Sequence, residues 1–380
     1  MSLMRVGLST TTIEHALTHG RLDGIGVYTS ALMQGLPAVG CAVDGFSFPP
    51  LRSSGLARQF SAGRAMSRPY TVLSMRDMLT PNAVRSHMPV DVYHATDYRI
   101  VRMACPVVAT LHDAIPLKYP EWCSPRLRGL KNWVQKKAAH NADHVIALSN
   151  FAVAELIEYF KVDERRITVV HCGVGHEWQQ APQPVEVEET LSMHGLERGY
   201  FLFVGTLQPR KNVARILDAY LGLPTAVRRA RQLVIVGRAG WRCDDLLKKM
   251  QAALQNGEKI VWLNNLAGEE QLRRVYAGAG AFVFPSLYEG FGIPVAEAFA
   301  CGVPVIASNT TSLPEVSQGA ALEIDPLSVR EIGFAMLSLV QDDALRARCI
   351  AAGKQRASQL TWHRTVEQTA AVYHSVLGGR

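Results

Sequence analysis

Short apolar runs recur along the chain, each bounded by glycine, proline or polar turn residues and separated by amphipathic stretches of helical length. In the first half, Met4–Ser9, Val90–His94, Pro106–Leu111, Ala142–Ser149 and Arg166–Val170 read as strands, and Gly24–Gly35 reads as a helix. A segment rich in proline and glutamate, Gln179–Glu189, has neither period and reads as a linker. The pattern then restarts with Tyr200–Gly205, Gln232–Gly237, Lys259–Leu263, Ala281–Phe284 and Val303–Ala307. Strand–helix alternation on this scale predicts a doubly wound parallel sheet in each half. The tail places Trp362, Val366, Ala370 or Tyr373, and Leu377 on one stripe, the signature of a closing amphipathic helix.

Length agrees with two domains, since 380 residues exceed one typical core. No apolar window approaches the ~18 residues of a membrane span. Met1-Ser-Leu-Met-Arg lacks the charged head and long apolar region of a secretory signal, and its first three residues read as an expression scar before a natural Met4 start. Seven cysteines, Cys41, Cys105, Cys123, Cys172, Cys243, Cys301 and Cys349, show neither pairing nor metal-ligand spacing. They read as reduced core thiols of a cytoplasmic protein, with no metal site.

Charge is unevenly placed. Of the +7 total, residues 1–178 carry 19 Lys and Arg against 14 Asp and Glu. The stretch Leu51–Arg76 holds Arg52, Arg58, Arg64, Arg68 and Arg76 and no acid, and a second run holds Arg126, Arg128, Lys131, Lys136 and Lys137. Solvated surface is one reading. The other is attraction to anionic lipid head groups at the inner face of a membrane, or to a phosphate-bearing acceptor. Nucleic acid fits poorly, because no aromatic residues interleave with the charge. Around the second run, Leu127, Leu130 and Val134 form an apolar stripe expected to pack into its own domain.

Four constellations carry chemistry. In Ser286–Ser308 a strand runs into a Gly-rich turn and a short helix with Pro294 expected at its first position. Glu289 in the turn and Glu297 in the helix, with seven residues between them, are expected to face a pocket at the strand's carboxyl end. The helix start and the amides of Phe291, Gly292 and Ile293 point there too, which suits an anion. In Val204-Gly205-Thr-Leu-Gln-Pro-Arg210-Lys211-Asn212, two cations precede a helix for which Asn212 is the expected N-cap. Three positive sources at one point require an anion to fill it. His112 closes a first-half strand beside Asp113, a plausible ring-orienting neighbour. Asp23-Gly24-Ile-Gly26 is a tight turn whose Gly26 amide can approach a phosphate, without the third glycine of a dinucleotide fingerprint. Gly237-Arg-Ala-Gly240-Trp241 and Leu263–Leu266 also end strands and are candidates for nucleobase and ribose contacts, Gly237 and Leu266 among them.

In family order and spacing, the Gly-rich first loop, His112, the Arg210-Lys211 pair and the Glu289/Glu297 motif resemble the retaining GT-B glycosyltransferases of family 4. The resemblance implies two Rossmann-like doubly wound parallel-sheet domains facing a cleft. An acceptor-side domain spans 1–180, a donor domain 190–360, and a helix over 361–380 crosses back. It further implies that His112 contacts the transferred sugar, that Arg210 and Lys211 bind the donor diphosphate, and that Glu297 takes the ribose hydroxyls. Glu289 lies near the sugar ring, and the amides of Phe291, Gly292 and Ile293 hold sugar hydroxyls. Thr206 stands where some branches of the family carry a further arginine. No Asp-x-Asp stands where a metal would be needed, so metal-independent transfer without a cofactor is expected. The flavour of the run from Asp23, of His112-Asp-Ala-Ile-Pro and of Gly237–Trp241 looks most like bacterial surface-polysaccharide mannosyltransferases. That implies GDP-mannose as donor, UDP-glucose as runner-up, and a lipid-linked glycan as acceptor. A GT-B epimerase, a non-catalytic nucleotide-sugar-binding subunit and a nicotinamide dehydrogenase are the competing readings.

Overall fold

The computed structural model describes residues 3–19, 22–51, 54–80, 85–122, 127–266 and 268–379, with the side chains of 54–56 excepted. Met1 and Ser2, Arg52, Cys123 and Arg126, named above, lie outside the described residues. The chain divides into two compact units, Met1–Cys172 with Trp362–Arg380, and Gly173–Thr361.

The first unit is built on strands β1 (Met4–Ser9), β2 (Cys41–Ser47), β3 (Arg64–Ala65), β4 (Val92–Ala95), β5 (Val107–Leu111), β6 (His144–Ala147) and β7 (Ile167–Val169). They lie in the order β3-β2-β1-β4-β5-β6-β7, every pair parallel. The second unit holds β8 (Tyr200–Val204), β9 (Leu233–Val236), β10 (Ile260–Leu263), β11 (Ala279–Phe284), β12 (Val305–Ser308) and β13 (Leu322–Ile324). Its order is β10-β9-β8-β11-β12-β13, again parallel. Helices cover both faces of such sheets, which is why the central strands are continuous apolar runs: every residue of Tyr-Phe-Leu-Phe-Val in β8 is buried.

Strand order reverses beside β1 in the first sheet and beside β8 in the second. Chain crossovers leave opposite faces at those points, opening a crevice at the carboxyl ends of the strands. The crevice between β8 and β11 receives the Gly205–Lys211 and Pro285–Glu289 loops, and the one between β1 and β4 receives Thr96, with His112 one strand farther along.

Two segments differ from the sequence reading. Part of the expected linker is a helix, Pro184–Met193, packed by Val187 and Leu191 into the second unit. Pro184 sits at its start, where no N–H is required, and Glu188 and Glu189 face water while Glu186 pairs with Arg274 at 3.2 Å. The change of unit falls instead at Cys172–Gly173. The final helix, Trp362–Gly378, packs against Gly24–Gly35, and Thr365 Oγ1 donates to the His171 carbonyl at 2.7 Å.

Candidate active site

Lys211, Arg210 and Glu289 meet at the crevice of the second sheet. Pro209–Lys211 form one 3-10 turn after β8, and the Leu287 amide donates to the Arg210 carbonyl at 2.7 Å, tying that turn to the loop after β11. Lys211 Nζ lies 2.6 Å from Glu289 Oε1, and Arg210 Nη1 lies 3.1 Å from both Glu289 Oε2 and the Tyr288 carbonyl. The Lys211 ammonium also sits 4.8 Å from the centre of the Phe284 ring. Burial pushes the Glu289 carboxyl up, but Lys211 and Arg210 outweigh it and hold the group below the usual carboxylate range. Two cations and one carboxylate leave a single positive charge at a strand's carboxyl end, suited to an anionic ligand.

Asn212 stands at the cap position of the helix Val213–Leu221, but its side chain does not cap it. Its amide donates to the Pro285 and Pro326 carbonyls at 2.9 and 2.6 Å, so it braces the cation loop against β11.

The helix after the turn runs Ile293–Ala300, so Pro294 is its second residue rather than its first. Gly292 precedes it with φ +106°, and a Cβ there would lie 2.6 Å from Leu313 Cδ2, so only glycine fits. Ser312, which the sequence reading missed, donates from one hydroxyl to the Glu289 and Phe291 carbonyls at 2.9 Å each. The Glu289 amide donates to Thr311 Oγ1 at 3.3 Å. Thr311 and Ser312, in the loop after β12, thus set the path of the Glu289–Phe291 turn.

The two glutamates have different surroundings. The Glu297 carboxylate accepts from Tyr276 OH at 3.1 Å and meets no cation among the described contacts. Burial raises its carboxyl to about 8, the Tyr276 bond opposes that, and Glu269 adds to it. Glu269 is itself the acceptor for the Trp178 indole. Gly205 and Gly237 end β8 and β9 side by side. At φ +140°, a Cβ on Gly237 would fall 2.1 Å from the Gly205 carbonyl oxygen, which fixes glycine there. Leu266 lies partly exposed beyond β10, and Trp241 is exposed with Arg242 over its ring. Among the described residues, no group of three or more His, Cys, Asp or Glu gathers to hold a metal ion.

In the first unit, His112 Nε2 contacts the Thr96 carbonyl at 2.8 Å and the Tyr28 ring stands edge-on at 5.3 Å. A carbonyl accepts only, so Nε2 carries the proton and Nδ1 keeps a lone pair. Burial lowers the ring's basicity, while the Thr96 bond and Asp113 pull the other way. Asp113 is not what orients the ring: its carboxylate takes Tyr98 OH and the Ile115 amide. Nor is the Gly26 amide bare, because it donates to Asp23 Oδ1 at 2.9 Å and starts the helix Gly24–Gly35. Beneath His112 lies a buried polar chain that sequence reasoning missed. Tyr373 OH and Thr110 Oγ1 bond the two nitrogens of His94 at 2.7 and 2.8 Å, and Tyr28 OH bonds Thr110 Oγ1 at 2.9 Å. Burial and the neighbouring His112 lower His94 to about 3.

This geometry agrees with what the chain is similar to. Residues 22–178 match the family described as Glycosyltransferase Family 4, and residues 192–356 match Glycosyl transferases group 1. O-antigen chain mannosyltransferase B of Escherichia coli is 31% identical, over 97% of this chain and 99% of its own. The chain belongs to glycosyltransferase family 4. A further relative, alpha-maltose-1-phosphate synthase of Mycobacterium tuberculosis, is 28% identical over 93% of this chain and 95% of its own. Among solved structures, Anabaena HepE in complex with UDP and glucose covers 98% of this chain and 100% of its own at TM-score 0.72 and 16% identity. Sucrose-phosphate synthase from Thermosynechococcus elongatus covers 99% and 100% at TM-score 0.73 and 19% identity. The two parallel-sheet units are those of the GT-B fold, and the protein is a glycosyltransferase.

Proposed function

We propose that this family 4 glycosyltransferase is a retaining, metal-independent mannosyltransferase that takes mannose from GDP-mannose to a lipid-linked glycan in surface-polysaccharide assembly. The observation that carries the reading is the Arg210–Lys211–Glu289 cluster at the switch point of the second sheet. The full-length likeness to an O-antigen mannosyltransferase supports the choice of mannose.

In this reading the donor diphosphate sits against Arg210 and Lys211, which meet the charge that develops as the bond from the sugar's anomeric carbon to the phosphate oxygen breaks. The helix start at Ile293 adds its positive end. The acceptor hydroxyl forms its new bond on the face the phosphate leaves, and its proton passes to the departing phosphate oxygen. No side chain forms a covalent bond. Glu289 lies beside the sugar ring and Glu297 takes the ribose hydroxyls. The amides of Gly292 and Ile293 serve the sugar, and the neutral His112 ring, fixed by Thr96, contacts the transferred mannose. The acceptor is lipid-linked, so the chain works against an anionic membrane surface. Among the described residues, no helix is long and apolar enough to cross a membrane.

Acceptor-free donor hydrolysis across a panel of nucleotide sugars tests the donor. GDP-mannose should be cleaved fastest. Faster cleavage of UDP-glucose would move the assignment to a UDP-sugar transferase.

A further inference from the structure

The helix Arg128–Ala138 carries its amphipathic pattern the wrong way round for a helix that packs by its apolar side. Its inward side is polar: Asn132 donates to the Pro116 carbonyl, Arg128 Nη1 donates to the Pro120 carbonyl at 2.9 Å, and Gln135 Oε1 is buried. Its two largest apolar residues face water, while Val134 is half-buried and Ala138 is buried. Leu130 and Trp133 are 57% and 51% exposed, and Leu127, just before the helix, is 66% exposed. The stripe expected to pack into the domain therefore does the opposite at Leu127 and Leu130. The neighbouring helix Tyr70–Leu79 adds Met75 and Leu79, 60% and 76% exposed. Large apolar residues held outward on adjacent elements mark a surface that something covers.

Charge decides what covers it. From Trp122 to Ala142 the chain has no acid, and Lys131, Lys136 and Lys137 belong to this helix, with Lys137 on the same exposed side as Leu130 and Trp133. A second copy seated on this face by two-fold symmetry would bring the same basic helix against itself. An anionic bilayer satisfies both features at once, with leucine and tryptophan entering the head-group boundary and lysines staying at phosphate level.

We propose that Arg128–Ala138 is an interfacial docking helix, which inserts Leu127, Leu130 and Trp133 into an anionic lipid surface while its lysines engage the phosphates. The inference rests on the reading that the enzyme works at a membrane, and names the element that binds it. It also gives the polar inward side a purpose. Asn132 holds the Pro116 carbonyl, four residues from His112, so the docked helix is pinned to the segment that continues from the histidine.

The test is co-sedimentation of the full chain with phosphatidylglycerol and with phosphatidylcholine vesicles. Wild type should bind the first, be released by salt, and leave the second unbound. Leu130→Gln/Trp133→Gln should weaken binding about tenfold or more, and Lys131→Glu/Lys137→Glu by at least about fivefold per residue. Both variants alter exposed side chains, so circular dichroism and acceptor-free donor hydrolysis should match wild type. Wild-type binding that survives both double substitutions would overturn the docking helix and leave the membrane reading standing. No wild-type binding to phosphatidylglycerol at low salt would remove both. A wild-type dimer that Leu130→Gln/Trp133→Gln turns into a monomer would give the face to a second copy and overturn the proposal.

Discussion

Lys211 and Glu289 form a buried ion pair, Nζ to Oε1 at 2.6 Å, between loops 78 residues apart. The lysine is therefore not the open surface charge its sequence position suggests. Removing it deletes a proposed diphosphate contact and leaves a buried carboxylate with Arg210 alone. Lys211→Ala should lower kcat/KM by roughly two orders of magnitude, equivalent to about 3 kcal/mol of transition-state stabilisation. It should also cost stability, up to about 3 kcal/mol, the low end for breaking a buried pair because Arg210 remains. The folded Glu289 carboxyl titrates below its unfolded value, so its contribution is present above about pH 4.3 and fades as pH falls through the folded value. Thermal melts at pH 7 and pH 4 should show the variant losing less on acidification than wild type. Near-normal turnover would refute the diphosphate assignment.

Glu297 titrates in the other direction. Its folded carboxyl stands at about 8 against ~4.3 unfolded, so folding takes up a proton between those values and stability falls as pH rises across that window. Ribose hydroxyls donate best to the ionised group. Nucleoside diphosphate binding should therefore tighten from pH 7 to pH 9, by up to about tenfold as the competent fraction grows. Glu297→Gln should bind weakly at both pH values and show a flatter stability profile. Calorimetry decides: unchanged nucleotide binding with impaired transfer would exchange the roles of Glu289 and Glu297.

The final helix is held through Tyr373, whose hydroxyl meets His94 Nδ1 at 2.7 Å in a fully buried site. Tyr373→Phe keeps the ring and strands that nitrogen. The cost should be about 1–3 kcal/mol, the penalty of an unsatisfied buried polar group. Chemical denaturation measures it; an unchanged midpoint would show that His94 is satisfied another way.

The central strands were legible because parallel sheets bury both faces, so β1 and β8 stand out as apolar runs. Cys41–Ser47 was missed because Asp44 and Gly45 interrupt it, and β3 and β13 because an edge strand of two or three residues leaves almost no pattern. The Glu289/Glu297 motif and the cation pair were visible as local strings. Their divergence was not, because it depends on Lys211, Tyr276 and Ser312 arriving from distant segments of the chain. His94 reads as one polar letter in an apolar run until Tyr373, 279 residues later, bonds it. The Arg128–Ala138 stripe was visible, but its direction was set by carbonyls at Pro116 and Pro120 that periodicity cannot show.

In the proposed mechanism, Arg210 and Lys211 stand in for a divalent ion by bringing positive charge to the leaving diphosphate. Transfer with excess chelator should equal transfer with added magnesium or manganese. A strict divalent requirement would mean that the phosphates are held elsewhere.

The most direct test of the account is the product itself. Purified enzyme, GDP-mannose and a polyprenyl-diphosphate-linked glycan acceptor are incubated, and the anomeric configuration of the new linkage is read by NMR. A retaining mannosyltransferase transfers mannose with the donor's α configuration kept. A β-linked product would contradict retention, and no mannose transfer while another nucleotide sugar is consumed would contradict the donor.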